Sequence, residues 1–192
     1  MIAQMDDYPL GDRLHFSDCA REVPCSCDVR AYHETRGDDY GSEESRQKTY
    51  RAAWEGIRWS CSSPDEWNVL DVGSGEGHLE TYLRMRLGRM RYTGIDLKIG
   101  TNILDYDLEH DVVVGLGVLY KTDNPWALLE HMWSLAGTIL IVDSLSTWAE
   151  TKNEDELYLE PGDTLEWAAH LTRKAILRHD FQPHRFMLYL YR

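Results

Sequence analysis

The fold of this chain follows from one stretch of sequence, Val69-Leu70-Asp71-Val72-Gly73-Ser74-Gly75-Glu76-Gly77-His78. The stretch begins as an apolar strand, continues through a glycine-rich turn, and leads into a helix that we expect from about Leu79. Glycine adopts positive φ angles and lets a ligand lie against bare backbone. The N–H groups that open a helix favour negative or polar groups. We therefore predict a strand from Asn68 to Val72 with a nucleotide-type cofactor site at its carboxyl end.

A second strand that ends in an acid supports this site. The segment Arg91–Leu97 is predicted to be a short strand, and its Asp96 lies 19 residues after Gly77. A strand, turn, helix and strand of this length form a crossover unit, which brings the acid beside the glycine turn. At that position a carboxylate can accept hydrogen bonds from the two hydroxyls of a ribose.

Further strands are predicted along the rest of the chain. The apolar run Asp111–Tyr120 is typical of a strand buried on both faces, and Thr138–Asp143 is rich in β-branched residues. The final segment, Arg185–Arg192, nearly alternates between apolar and polar residues, which predicts an antiparallel strand at or near the edge of the sheet. Between Lys98 and His110 the chain has room only for a turn and a brief strand.

Helices are predicted between these strands. Apolar residues recur at helical spacing over Glu43–Trp59 and Trp126–Leu135, and Asp163 with Thr164 opens another helix with apolar positions as far as Leu177. The expected fold class is α/β, with a doubly wound, mostly parallel sheet, helices on both faces in a three-layer sandwich, and an antiparallel C-terminal strand. We predict that residues 43–192 form this domain, and that residues 1–42 form a partly irregular arm or cap.

Composition limits the class of protein. The 192 residues carry a formal net charge of −13, which opposes general affinity for nucleic-acid backbones. The basic residues of one region are interpreted as a solvated helix face: Arg84, Arg86, Arg89, Arg91 and Lys98. No apolar run is long enough to span a membrane, and the N-terminus has neither the basic nor the apolar part of a signal peptide. The sequence therefore predicts a cytoplasmic protein with no membrane partner.

The cysteines do not predict a metal site. Three of the four, Cys19, Cys25 and Cys27, fall within nine residues, and the fourth is Cys61. Zinc binds four such ligands tetrahedrally, but this spacing lacks the usual pair of short Cys-x2-Cys motifs. We interpret these residues as reduced thiols rather than zinc ligands, and disulfides are not expected in a cytosolic chain.

The arrangement of motifs resembles that of the class I S-adenosylmethionine-dependent methyltransferases. The resemblance covers about residues 43–192 and lies in the complete acid-x-Gly-x-Gly-x-Gly motif from Asp71 to Gly77, in Gly94-Ile95-Asp96, in Asp111-Val112-Val113, and in the strand 138–143. A dinucleotide site prefers a third glycine one residue later, together with a pyrophosphate. The position of Gly77 and the acidic surroundings favour S-adenosylmethionine, which is cationic and has no phosphate.

The resemblance also implies roles for individual residues. Asp71 and the turn formed by Gly73, Ser74, Gly75 and Gly77 would hold the methionine part of the cofactor. Asp96 would accept from the ribose hydroxyls, Leu97 would pack on adenine, and Asp105 or Asp107 would bind its amino group. Tyr120 is our candidate for a residue near the transferred methyl group, with Lys121 and Asp143 as weaker ones.

Neither the methyl acceptor nor the oligomeric state can be read from the sequence. A small molecule or a protein is favoured as acceptor over RNA, because the chain is acidic. Two other classes of function stay open: a partner subunit that binds the cofactor or a related nucleoside without catalysis, and an oxidoreductase on a dinucleotide-binding fold. Acceptor specificity is expected to depend on residues 1–45 and 145–162.

Overall fold

The computed structural model describes residues 42–60, 66–87, 89–147, 149, 157–182 and 184–192. Its helices are α1 (Glu43–Ser60), α2 (His78–Arg84), α3 (Pro125–Leu135) and α4 (Pro161–Ala168). Its strands are β1 (Asn68–Val72), β2 (Arg91–Ile95), β3 (His110–Gly115), β4 (Ala136–Leu145), β5 (Lys174–Arg178) and β6 (Arg185–Tyr191). Short 3-10 turns occupy Leu97–Ile99, Ile103–Asp105 and Leu119–Lys121.

The strands form one six-stranded sheet in the order β2-β1-β3-β4-β6-β5. Strands β1, β2, β3 and β4 pair in parallel, whereas β6 runs antiparallel to both of its neighbours, β4 and β5. The predicted α/β fold with an antiparallel C-terminal strand is confirmed, and that strand lies next to the edge. The strand order reverses at β1 and β3, and at such a point an open parallel sheet has its ligand-binding crevice.

Each face of the sheet carries its own hydrophobic core. In β1, Leu70 packs into the core that is covered by α3 and α4, and Val69 packs into the core that is covered by α1 and α2. Ser42 caps helix α1 from the position before Glu43, and its Oγ accepts a hydrogen bond from the Ser45 N–H at 3.2 Å. Because both faces of the sheet are covered, the carboxyl ends of the parallel strands remain as the place for a site.

Two predicted elements are wrong. No strand follows β2 in the segment up to β3; Leu97–Ile99 and Ile103–Asp105 form 3-10 turns instead. Gly100, with a φ of 84°, ends the first turn, and Asn102 caps the second. The helix predicted to extend through Leu177 ends at Ala168, and the residues that follow supply the edge strand β5. The free edge of β6 needs a hydrogen-bonding partner, and this tertiary requirement outweighs the local apolar spacing.

Several predictions concern residues outside the described ranges. They include residues 1–41 of the predicted N-terminal arm, the cysteines at positions 19, 25, 27 and 61, and residues 148 and 150–156 of the segment 145–162 that is expected to affect acceptor specificity. Among the helices of the described residues, none is both long and apolar enough to cross a membrane.

Candidate cofactor-binding site

The glycine turn after β1 is fixed to the end of β2 by its own backbone. The N–H groups of Gly73 and Ser74 both donate to the carbonyl oxygen of Ile95, at 2.8 and 3.1 Å. The Gly77 N–H donates to the carbonyl oxygen of Ser74 at 2.9 Å. Gly73, Gly75 and Gly77 have φ angles of 74°, 52° and 75°, a region that residues with a side chain rarely adopt. The alternating glycines therefore build the turn itself.

Close contacts with two other segments explain the position of the turn. A Cβ atom on Gly94 of β2 would lie 2.8 Å from the Ser74 Oγ, so the bare backbone of Gly94 admits the Ser74 side chain. A Cβ atom on Gly73 would lie 2.5 Å from the Cγ1 atom of Val118, in the loop after β3. The turn is thus enclosed between the segments that follow β2 and β3.

Asp96, at the end of β2, connects the turn to the next segment. Its side chain is buried, with 5% of the residue exposed. One carboxylate oxygen accepts from the Gly75 N–H at 2.9 Å, and the other accepts from the Lys98 N–H at 2.8 Å. The acid predicted to bind a ribose is therefore held beside the turn by two backbone donors.

A cavity opens at the carboxyl ends of β1, β2 and β3. Its lining residues surround about 810 Å³ of empty space, a volume that includes open solvent at the mouth. Most of its lining is apolar. Its polar side chains are Asp96, Thr101, Asn102, Lys121, Thr122 and Asn124. One ammonium group among otherwise uncharged or acidic groups is a poor match for a polyphosphate.

Asp71 lies behind the turn, where it is fully buried and hydrogen-bonded. The Tyr92 hydroxyl donates to its carboxylate. Burial raises the pKa of Asp71 to about 7, and the negative charge of Asp96 adds to the rise, while the hydrogen bond from Tyr92 opposes it. Asp71 is not among the residues that line the cavity.

A buried polar network holds Tyr120, which is not among the residues that line the cavity. Arg185, the first residue of β6, donates to the Tyr120 hydroxyl at 2.8 Å and forms an ion pair with Asp143 of β4. The other carboxylate oxygen of Asp143 accepts from the Gly117 N–H at 2.5 Å. Burial by itself would lower the pKa of Arg185, but Asp143 and Tyr120 raise it above its ordinary value. The network joins β4 and β6 to the loop that follows β3.

The next residue, Lys121, reaches the cavity directly. It lines the cavity wall, and its ammonium lies 5.8 Å from the centre of the Tyr120 ring. Burial lowers the pKa of Lys121, and the nearby positive charge of Arg185 lowers it further. Within the described ranges, no three His, Cys, Asp or Glu side chains group so as to hold a metal ion.

Several solved structures with this architecture are methyltransferases. A structure of the plantazolicin methyltransferase BpumL with a pentazolic analogue and S-adenosylhomocysteine has a TM-score of 0.62 at 12% identity, over 86% of this chain and 90% of that one. The magnesium protoporphyrin IX methyltransferase of Synechocystis PCC 6803, with bound S-adenosylmethionine, has a TM-score of 0.54 at 16% identity, over 85% and 95%. A methyltransferase from Aquifex aeolicus has a TM-score of 0.57 at 15% identity, over 76% and 92%.

The chain has the fold of class I S-adenosylmethionine-dependent methyltransferases. No protein-family model matches the sequence, and no curated protein sequence matches it. At these identities the likeness concerns the fold, so the roles of individual residues depend on the geometry of this chain.

The methyltransferase fold brings some of the predicted site residues together and leaves others apart. Gly73, Asp96 and Leu97 line the cavity. Ser74, Gly75 and Gly77 shape the turn beside it. Asp105 and Asp107 are exposed and are not among the lining residues, so their contacts with adenine stay a prediction.

Sequence reasoning missed three cavity-lining residues that directly precede Asp105 in the sequence. Asn102, Ile103 and Leu104 form the cavity wall on this side. The Asn102 Oδ1 accepts from the Leu104 N–H at 3.1 Å, so Asn102 caps the 3-10 turn. The sequence signal for this wall was Asn102 before two apolar residues. This pattern is as typical of a capped turn as of a ligand contact, so it does not by itself indicate a binding site.

Proposed function

We propose that this protein transfers a methyl group from S-adenosylmethionine to a small-molecule or protein acceptor. The observation that carries the proposal, beyond the fold, is the hydrogen bonding of the glycine turn. Phosphate sites at such turns depend on backbone N–H groups that point at the ligand. Here the N–H groups of Gly73, Ser74, Gly75 and Gly77 all donate within the protein. The turn therefore suits a cofactor without phosphate and argues against a dinucleotide.

The cavity wall supports a nucleoside. The Asp96 carboxylate provides acceptors for the ribose hydroxyls, and its two backbone donors hold it in place. Leu97, Ile103 and Leu104 provide apolar surface for a base. Asn102 is part of the same wall, and its side-chain amide can donate to a ring nitrogen. Carboxylate, amide and apolar surface together match adenosine.

The part of the site near Tyr120 is our candidate for methyl transfer. S-adenosylmethionine supplies a methyl group that is bonded to a positively charged sulfur. Transfer needs the acceptor atom in line with that bond, and this positioning accounts for much of the rate. We place Tyr120 near the transferred methyl group, because its hydroxyl is held by Arg185 close to Gly117, a residue that lines the cavity. A general base is required only where the acceptor has a proton to lose.

The charge of the protein favours small-molecule or protein acceptors. A net charge of −13 repels the phosphate backbone of RNA. An RNA methyltransferase is the alternative, and it would bind RNA with a steep loss of affinity as salt is added.

Calorimetric titration tests the choice of cofactor. We expect the protein to bind S-adenosylmethionine and S-adenosylhomocysteine but not NAD. Asp96→Ala should abolish this binding, whereas Glu130→Ala, which removes an exposed acid on α3, should leave it unchanged. Circular dichroism of each variant checks that it is folded. Binding of NAD without binding of either sulfur compound would refute the proposal.

Transfer of labelled methyl groups tests the activity. Purified protein and labelled S-adenosylmethionine are incubated with cell-extract fractions that contain small molecules, protein or RNA. We expect incorporation into the small-molecule or protein fraction, and loss of incorporation with Tyr120→Phe. Cofactor binding with no incorporation into any fraction would support a non-catalytic binding subunit instead.

A further inference from the structure

The cavity wall formed by residues 102–106 lacks the support that the neighbouring strands have. Strand β2 lies next to it in sequence, but this segment is a 3-10 turn and pairs with no strand of the described residues. Its internal hydrogen bonds are short-range: the Asp105 N–H donates to Asn102 at 3.1 Å, and the Tyr106 N–H donates to Ile103 at 3.0 Å. A turn of this kind opens easily unless another element holds it.

His131 of α3 provides that hold. Its Nε2 lies 2.9 Å from the carbonyl oxygen of Ile103 and 3.0 Å from the carbonyl oxygen of Tyr106. A carbonyl oxygen only accepts hydrogen bonds, so the Nε2 must carry the hydrogen and donate to both. One imidazole therefore fixes the two ends of the turn that borders the cavity.

The same face of α3 also forms part of the cavity. Ala127 and Leu128 line it, and they precede His131 by four and three residues. Residues at these spacings share one face of a helix. The helix thus contributes its first turn to the cavity and its next turn to the support of the wall formed by residues 102–106. A shift of the turn relative to α3 would change the width of the cavity.

We propose that His131 is a positioning residue for the nucleoside end of the cofactor site. It acts by holding the turn 102–106 against α3, so that Asn102, Ile103 and Leu104 present a preformed surface to the base. A preformed site loses less entropy on binding than one that must be ordered by its ligand. This role rests on the proposed function, since it assumes that adenosine occupies this side of the cavity.

Two measurements with one set of variants test the role. The variants are His131→Ala, His131→Gln, whose amide donor has a similar reach, and Glu130→Ala as an exposed neighbour on α3. Hydrogen exchange of the Asp105 and Tyr106 amides reports the turn without any ligand. With His131→Ala we expect exchange about tenfold faster, since bonds to two carbonyls are lost. His131→Gln should restore most of the protection.

Titration with adenosine and with S-adenosylhomocysteine reports the site. With His131→Ala both ligands should bind about tenfold more weakly and by the same factor, because both contain the nucleoside. His131→Gln should recover the affinity, and Glu130→Ala should match the unaltered protein. Circular dichroism and thermal melting identify any variant that is not folded. If His131→Ala is not folded, His131→Leu, which keeps more of the side-chain volume and also lacks a donor, replaces it with the same expected loss of affinity.

The outcomes separate this role from the function on which it rests. If the unaltered protein binds neither ligand, the proposed function fails and the role of His131 fails with it. If the unaltered protein binds both and folded His131→Ala binds them equally well, the role of His131 alone is wrong. Weaker binding of S-adenosylhomocysteine with unchanged binding of adenosine also overturns it, because the effect would then lie at the methionine end.

Discussion

Asp71 should make the stability of this protein depend on pH. The side chain is fully buried, and burial raises its pKa from 3.8 to about 7. Asp71→Asn removes the ionisable group and keeps an oxygen that can accept the hydrogen bond from the Tyr92 hydroxyl. The substitution therefore isolates the cost of placing a carboxylate charge behind the glycine turn.

The sign and size of the effect follow from the two pKa values. Between pH 3.8 and about 7 the folded protein keeps the Asp71 proton that the unfolded chain has lost. The free energy of unfolding therefore falls as pH rises through this window, by about 1.4 kcal/mol per pH unit. The whole window corresponds to about 4 kcal/mol, and the loss from this group levels off about one pH unit above the folded-state pKa.

Urea unfolding of the two proteins at several pH values measures the effect. Over the pH range of about 5.5 to 8.5, the stability of Asp71→Asn relative to the unaltered protein should increase by about 2 kcal/mol. The increase should level off about one pH unit above the folded-state pKa of about 7. Asp107→Asn, which removes an exposed carboxylate, serves as the matched control and should show a far smaller change. A difference between Asp71→Asn and the unaltered protein that stays constant with pH would show that Asp71 ionises normally.

Substitutions at the glycine turn, the buried ion pair and the cavity wall should each have a distinct effect. Gly73→Ala places a Cβ 2.5 Å from a methyl group of Val118 and should lower thermal stability. The loss should exceed that of Gly100→Ala, whose Cβ meets nothing within 4 Å and which should cost about 1 kcal/mol. Equal losses for the two variants would contradict the packing argument. Arg185→Leu should lower the free energy of unfolding in urea by about 3–5 kcal/mol, because it leaves Asp143 buried without its charged partner. Adding Asp143→Leu should lower it little further. If the losses of the two single variants add fully in the double variant, the two side chains are not coupled. In thermal melts, S-adenosylmethionine at about 100 times its dissociation constant should stabilise the unaltered protein by about 2.7 kcal/mol. It should not stabilise Asp96→Ala. Equal stabilisation of both proteins would place the ligand at another site.

Much of the fold could be predicted because it depends on local patterns. The strand Asn68–Val72 was predicted with both of its ends, α1 and α3 were predicted to within one residue at both ends, and the start of α2 was predicted to within one residue. Helices α1 and α3 have strong periodicity and clear capping residues, such as Asn124, whose Oδ1 accepts from the Ala127 N–H. Strand β5 could not be predicted, because its apolar residues continue the spacing of the preceding helix, and only the open edge of β6 makes them a strand.

The candidate site also has features that local sequence determines and features that depend on the tertiary structure. The sequence by itself determined the glycine turn and the acid Asp96, because positive φ angles require glycine and a crossover of fixed length brings the acid beside the turn. Only the tertiary structure decided which N–H groups remain for a ligand, since the carbonyl oxygen of Ile95 and the carboxylate of Asp96 accept from the N–H groups of Gly73, Ser74 and Gly75. It also placed His131 against Ile103, 28 residues away in the chain. Hydrogen bonds between distant segments have no sequence periodicity, and they form only when the folded backbone brings donor and acceptor together.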